Sequence, residues 1–181
     1  MRFRLPATGS WALAALGLLT GCANYQLGTQ GRLAFSTLYV APVQNKTLLA
    51  QAQAAFSTQL RTAFLEDGRV QLVNSPAGAD ATLQVVITDY HRDVAAQREQ
   101  DTGVASKFVE TVGTTCTLRD NRTGKALFEN RKVNVQRSVF TDNGNPGSPL
   151  AGDQLQAEYN TVPLFAEELA NRVAHTVLDV W

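Results

Sequence analysis

Residues 108–139 read FVETVGTTCTLRDNRTGKALFENRKVNVQRSV. In the first half Phe108, Val112, Cys116 and Leu118 share one parity. In the second half Leu127, Val133, Val135 and Val139 do the same. Apolar side chains that recur at every second position mark strands with one face buried, because successive side chains point to opposite faces. Between the halves lies Asp120-Asn121-Arg122-Thr123-Gly124. An Asp that accepts local backbone N–H groups, followed by a Gly that takes a positive φ, is the chemistry of a tight turn. The stretch therefore reads as two long strands in an antiparallel hairpin.

Upstream, Leu38 to Val43 (LYVAPV) reads as a first strand, with Pro42 at its edge or end because proline has no N–H for a ladder. Gln44 to Thr47 supply cap-type residues, and Asn45 and Thr47 are expected to cap the helix that follows. Leu48, Ala52, Ala55, Phe56, Leu60, Ala63 and Phe64 recur at three- and four-residue spacing and make one apolar helical face, which Asp67-Gly68 ends. Arg69 to Asn74 is a short strand and Asn74 to Gly78 a turn. Ala81 to Tyr90 is a strand with Leu83, Val85 and Ile87 on one face and a partly covered Val86 on the other. Residues 91–103 (HRDVAAQREQDTG) are polar and read as an exposed loop or hairpin end, and the Gly/Pro-rich 141–152 as a loop. Phe165, Leu169, Val173, Val177 and Val180 form a second helical stripe, with Pro163 either opening that helix or kinking a longer one from near Asp153. The fold class is α+β: two helices packed on one face of a mixed, mainly antiparallel sheet of about four to five strands, a two-layer sandwich.

The N-terminus carries a different message. Arg2 and Arg4 precede the apolar run Trp11 to Leu19, which leads into Leu19-Thr20-Gly21-Cys22. Charge, apolar stretch and small residues in that order describe an export signal. The apolar run is about half of the ~20 residues a membrane-spanning helix needs. Leu-Thr-Gly-Cys resembles the bacterial lipobox, so residues 1–21 are expected to be removed and Cys22 to be acylated as the new N-terminus. Ala23, in place of an aspartate, resembles Gram-negative outer-membrane sorting. Residues 22–36 then read as the lipidated N-terminus and tether, and 37–181 as a single domain, long enough for one hydrophobic core.

The chain has 16 basic and 16 acidic residues. The leader takes Arg2 and Arg4 and no acid, so the remainder is slightly negative and offers no electrostatic reason to bind nucleic acid. Two cysteines exist. With Cys22 acylated, Cys116 has no disulfide partner and reads as a small buried hydrophobe. His91 and His175 have no ligand spacing to Cys or carboxylates, so no metal site is expected. Glu167 and Glu168 are adjacent on a helix and do not face each other as an acid–base pair. No phosphate-binding Gly loop, nucleophile elbow, internal repeat or low-complexity tract occurs, and neither a catalytic residue nor a cofactor is called for. The remaining chemistry is cationic. Arg92, Arg98, Arg122, Lys125, Arg131, Lys132 and Arg137 cluster in the middle hairpins. They read either as a solvated sheet face or as contacts to an anionic partner such as a phosphorylated lipid. Arg92, Lys125, Arg131, Lys132 and Arg137 are the candidate anionic-lipid contacts, since guanidinium forks and ammonium charges suit phosphate.

The order of several segments carries a resemblance. Cys22 to Gly28 (CANYQLG) follows the signal, then VAPVQNKT (40–47), a helix, GRVQLV (68–73), ADATL (79–83), DNRTGKALF (120–128) and a C-terminal amphipathic helix. This layout resembles the LptE family of lipopolysaccharide-assembly lipoproteins. The resemblance implies a non-enzymatic outer-membrane lipoprotein, facing the periplasm, whose partners are the outer-membrane barrel LptD, lipopolysaccharide and the membrane itself. It implies that the chain helps the barrel assemble, plugs it and assists insertion of lipopolysaccharide into the outer leaflet. VAPVQNKT also resembles the opening of outer-membrane lipoproteins that activate a peptidoglycan synthase or belong to a secretion channel, which is the alternative reading. A periplasmic enzyme is the third class.

Overall fold

The computed structural model describes residues 33–49, 51–97, 105–140 and 150–179. Chain order is β1 (Thr37–Val40), β2 (Gln44–Asn45), α1 (Ala52–Asp67), β3 (Gln71–Val73), a 3-10 turn (Pro76–Gly78), β4 (Ala81–Gln97), β5 (Ala105–Asp120), β6 (Ala126–Phe140) and α2 (Leu150–Leu178). The strands form one mixed six-stranded sheet in the order β3-β1-β4-β5-β6, with β2 also paired to β4. β1 runs parallel to β3 and β4, and β2 is parallel to β4; β4, β5 and β6 form an antiparallel meander. The α+β class holds, with a strand count slightly above the four to five expected.

One core joins the two helices to the sheet. Phe56, Leu60 and Phe64 of α1 and Phe165, Leu169, Val173 and Val177 of α2 are buried with Leu83, Val85 and Ile87 of β4 and Val112, Cys116 and Leu118 of β5. Burial of each large apolar side chain contributes about 1.5–3 kcal/mol. Gly68 ends α1 in the left-handed conformation (φ 71°), its N–H donating to the Phe64 carbonyl at 3.3 Å. The hairpin turn is built as its residues dictate. The Asp120 carboxylate accepts the N–H groups of Arg122 and Thr123 at 2.8 and 3.3 Å, and Gly124 sits at φ 70°.

Several local expectations are corrected. The 38–43 strand is two pieces: β1 ends at Val40, exposed Pro42 interrupts the ladder, and Gln44 and Asn45 pair with Val86 and Ile87. Asn45 and Thr47 do not cap α1. The Asn45 side-chain oxygen accepts the Thr47 N–H at 2.9 Å, and the Thr47 hydroxyl accepts the Leu49 N–H at 3.3 Å, which shapes the turn ahead of the helix. The helix begins at Ala52 behind Gln51, which makes no side-chain cap bond. Leu48 is therefore off the helical stripe and 99% exposed. Residues 91–97, expected as loop, continue β4 because β5 pairs with them to Gln97. Leu150 to Gly152, expected as loop, begin α2, and Pro163 lies inside that longer helix. Phe35, in the stretch read as tether, is buried against the core. Val180 lies outside the described residues.

Candidate functional site

Register decides where the candidate cations go. Leu83, Val85 and Ile87 of β4 face the helices, opposite Leu118, Cys116 and Thr114. The ladder then shifts between Ile87 and Asp89, so Thr88 is the extra residue of a β-bulge. Past it the parity is reversed. Tyr90, Arg92 and Val94 now oppose Val112, Glu110 and Phe108 on the helix side, while Asp89, His91 and Asp93 take the other face. Simple alternation from Leu83 would place Arg92 with Gln84 on the outer face.

Across β5 and β6, Glu110 pairs with Arg137. Arg92, Glu110 and Arg137 thus form one row over three adjacent strands, next to the apolar row of Tyr90, Val112 and Val135. Glu110 is only 2% exposed and accepts from the Thr161 hydroxyl of α2 at 3.4 Å. Arg137 donates through Nε to Glu168 Oε2 at 3.1 Å, and Glu168 Oε1 receives Arg172 Nη2 at 3.0 Å. Arg172 also donates to the Asn134 carbonyl at 3.2 Å, which ties α2 to β6. Charges alternate in sign along this path, and Glu168 is ion-paired with both Arg137 and Arg172.

The other candidates do not converge with that row. Arg131 lies opposite Cys116 on the helix side, stacked on Phe128 with 4.2 Å to the ring centre and donating to the Thr176 carbonyl at 3.1 Å. Lys132 opposes Thr115 on the outer face. Lys125 precedes β6 at the hairpin turn, roughly 40 Å from Arg137 at about 3.3 Å per strand residue. Of the five candidates, the structure brings Arg92 and Arg137 to one row and separates Arg131, Lys132 and Lys125. Of the other two residues in that cluster, Arg122 reaches the Ala34 carbonyl at 3.1 Å, and Arg98 lies outside the described residues, as does Cys22.

Glu168 and Glu110 were not among the sequence candidates. The four-residue spacing of Glu168 and Arg172 was a readable helical pair. The tie to Arg137 was not, since it depends on how α2 lies over β6. Glu167 is exposed and shares none of this. His91 sits 3.0 Å from the Asp89 carboxylate and 3.8 Å from that of Asp93. Among the described residues no group of three or more His, Cys, Asp or Glu is placed to hold a metal ion.

Two spaces remain. A groove of about 540 Å³ runs between Lys46, Thr47 and Leu48 and the Thr88–Arg92 segment of β4. A gap of about 10 Å³ lies between the helices and Ile87 and Val112. The second is no larger than a single water's probe volume, so this gap has no room for an acyl chain. The outer face of the distal ribbon is mostly polar: Asp89, His91 and Asp93 of β4 and Lys132, Asn134, Gln136 and Ser138 of β6 are exposed there, with exposed Phe140 at the end of β6. No described helix is long and apolar enough to cross a membrane.

A family model described as LptE, lipopolysaccharide-assembly, matches residues 35–176. No curated protein matches the chain. Among solved structures, a minor lipoprotein of Acinetobacter baumannii is similar with a TM-score of 0.51 and 16% identity, over 81% of this chain and 93% of that one. An uncharacterized lipoprotein B from Nitrosomonas europaea gives 0.52 and 14%, over 84% and 91%. The PelC dodecamer structure from Paraburkholderia phytofirmans gives 0.50 and 13%, over 83% and 96%. At these identities the structural likenesses establish a shared fold.

Proposed function

The chain belongs to the LptE lipopolysaccharide-assembly family, and from that premise we propose that it is an outer-membrane lipoprotein that helps the LptD barrel assemble, plugs it, and assists insertion of lipopolysaccharide into the outer leaflet. In this reading residues 1–21 are removed, Cys22 is acylated, residues 22–36 form the lipidated N-terminus and tether, and 37–181 is the working domain, facing the periplasm. The role is binding and steric, without catalysis or cofactor. The observation that carries it is the family match from residue 35 to residue 176, which spans the described domain almost from end to end. The mostly polar outer face of the ribbon supports it, because the interior of an outer-membrane barrel is polar. Arg92, Lys125, Arg131, Lys132 and Arg137 are the proposed contacts to lipopolysaccharide phosphates. Arg92 on β4 and Arg137 on β6, which flank the Glu110 position of β5, are the part of that set that the register brings into one row.

Affinity purification of the full chain from detergent-extracted membranes tests the reading. Recovery of a large outer-membrane barrel, together with loss of surface lipopolysaccharide on depletion, is the expected result. Recovery of a peptidoglycan synthase or a secretion channel, with normal barrel levels, would replace it. Membrane association of a Cys22→Ala variant tests the anchor separately, and unchanged association in the absence of the partner would count against acylation at Cys22.

A further inference from the structure

Three arginine contacts fasten α2 to β6 and they differ in kind. Arg131 and Arg172 donate to main-chain carbonyls, those of Thr176 and Asn134, at 3.1 and 3.2 Å. Arg137 instead holds a side chain, the Glu168 carboxylate, at 3.1 Å. Both members of that pair stay within reach of water, with side-chain exposures of 37% and 29%. Glu168 is shared further, since Arg172 takes its second oxygen. Glu168 engages Arg137 through one oxygen at Nε, and a phosphate that binds the guanidinium side-on needs that same N–H. Two anions cannot use one guanidinium edge at once, and a half-exposed ion pair is weak enough to be exchanged.

We propose that Glu168 is an internal competitor for the anion site, so that a phosphorylated headgroup takes the Nε edge of Arg137 by displacing Glu168 and thereby loosens the Glu168 turn of α2 on β6. This rests on the reading of Arg137 as an anion contact. Binding and helix release are then two sides of one equilibrium, and each must favour the other by the same factor. Arg172 keeps Glu168 on the helix after the exchange, through the four-residue pair, while its own bond to the Asn134 carbonyl holds the helix loosely to the strand. The device acts locally: the core contacts of Leu169, Val173 and Val177 are fully buried, so they remain in place when the pair opens.

The test uses the full chain with purified lipopolysaccharide as probe and inorganic phosphate as the comparison arm. Glu168→Gln keeps the shape and removes the competing charge. It is expected to tighten lipopolysaccharide binding roughly two- to fivefold, the range of an exposed ion pair, and Arg137→Met in the same chain is expected to cancel the gain. In the wild type, lipopolysaccharide is expected to speed amide hydrogen exchange around residues 164–168, a readout that needs no variant. Inorganic phosphate that reproduces both effects assigns them to the anion alone, and their absence with phosphate assigns them to the lipid-borne headgroup; either supports the exchange. Unchanged affinity in Glu168→Gln, or slower exchange in this part of α2 on binding, would overturn the competition. Should Arg137→Met alone still weaken binding in that case, the anion site stands and only the competition falls. Should Arg137→Met have no effect in any background, the site reading and the competition fall together.

Discussion

Arg69 and Asp179 meet at 2.7 Å, tying the residue after the α1 cap to the residue after α2 across 110 positions of chain. The same guanidinium grips both oxygens of Asp67 at 2.7 and 2.8 Å and donates to the Leu178 carbonyl at 3.3 Å, so it finishes the C-terminal ends of both helices. Its hydrogen bonds are the largest cause of the lowered pKa of Asp67 and of Asp179.

Arg69→Met is expected to cost about 1 kcal/mol near neutral pH, the upper end for a largely exposed network. The sign of the pH dependence follows from the lowered carboxyls. As pH falls below about 4, the unfolded chain takes up protons before the folded one does, so the stability from these pairs is present above that range and lost below it. Urea denaturation of wild type and variant should show the penalty near pH 7 and little of it near pH 2. An equal penalty at both would mean that Arg69 acts through packing.

Asp80 anchors the arm ahead of β1. Its carboxylate accepts the N–H of Ser36 at 2.9 Å, the Ser36 hydroxyl at 2.8 Å and the Thr37 N–H at 3.0 Å. Those bonds, the Ser36 N–H first, hold it well below the usual carboxylate range. Asp80→Asn keeps one oxygen and loses the charge. Amide exchange at Ser36 and Thr37 should then accelerate several-fold, with α2 amides unchanged. Protection that persists at Ser36 would show that buried Phe35 alone holds the arm.

Gly113 lies in the middle of β5, between Asp89 and Asn134. A methyl group there would stand 2.9 Å from the Asn134 side-chain oxygen and 3.1 Å from the Asp89 Cβ. Gly113→Ala is expected to destabilise by about 1–2 kcal/mol through overpacking. The cost should shrink in an Asn134→Ala background, because the closest atom has gone. A thermal-melt cycle of the four proteins measures it, and strict additivity would assign the cost elsewhere.

Cys116 is fully buried, and burial pushes its thiol up to about 11. Relative to an ordinary thiol near 8.5, this lowers the thiolate fraction about three-hundredfold before access is counted. Iodoacetamide at mildly alkaline pH should leave the folded protein unlabelled and should react along the denaturation curve. Fast labelling of the native protein would mean that β5 opens locally at this point.

Much of the fold was legible because it follows from local geometry. The alternation around Cys116 and Val135 gave β5 and β6, and the three- and four-residue spacing of Phe56, Leu60 and Phe64 gave α1. The Asp120 and Gly124 pair gave the turn. The site was less legible. Arg92 and Arg137 were recognisable as cations, but nothing in their spacing said that they share a row. Nor did it say that Lys125 stands apart, or that Glu168 and Glu110 are their counter-charges.

Sequence by itself determined the periods of the strands and helices, the turn residues and the lipobox-like Cys22, since each is written in neighbouring residues. Tertiary structure alone decided the register. The bulge at Thr88 turns Arg92 to the helix side. The irregular ladder near Asn130, at φ 50°, sets Phe128 opposite Leu118 and leaves both Leu127 and Phe128 part-buried. Pairing with β4 draws Asn45 out of a helix cap and into a strand. These outcomes depend on which distant strand supplies the partner groups, and a one-residue slip in that pairing exchanges the faces of every side chain beyond it.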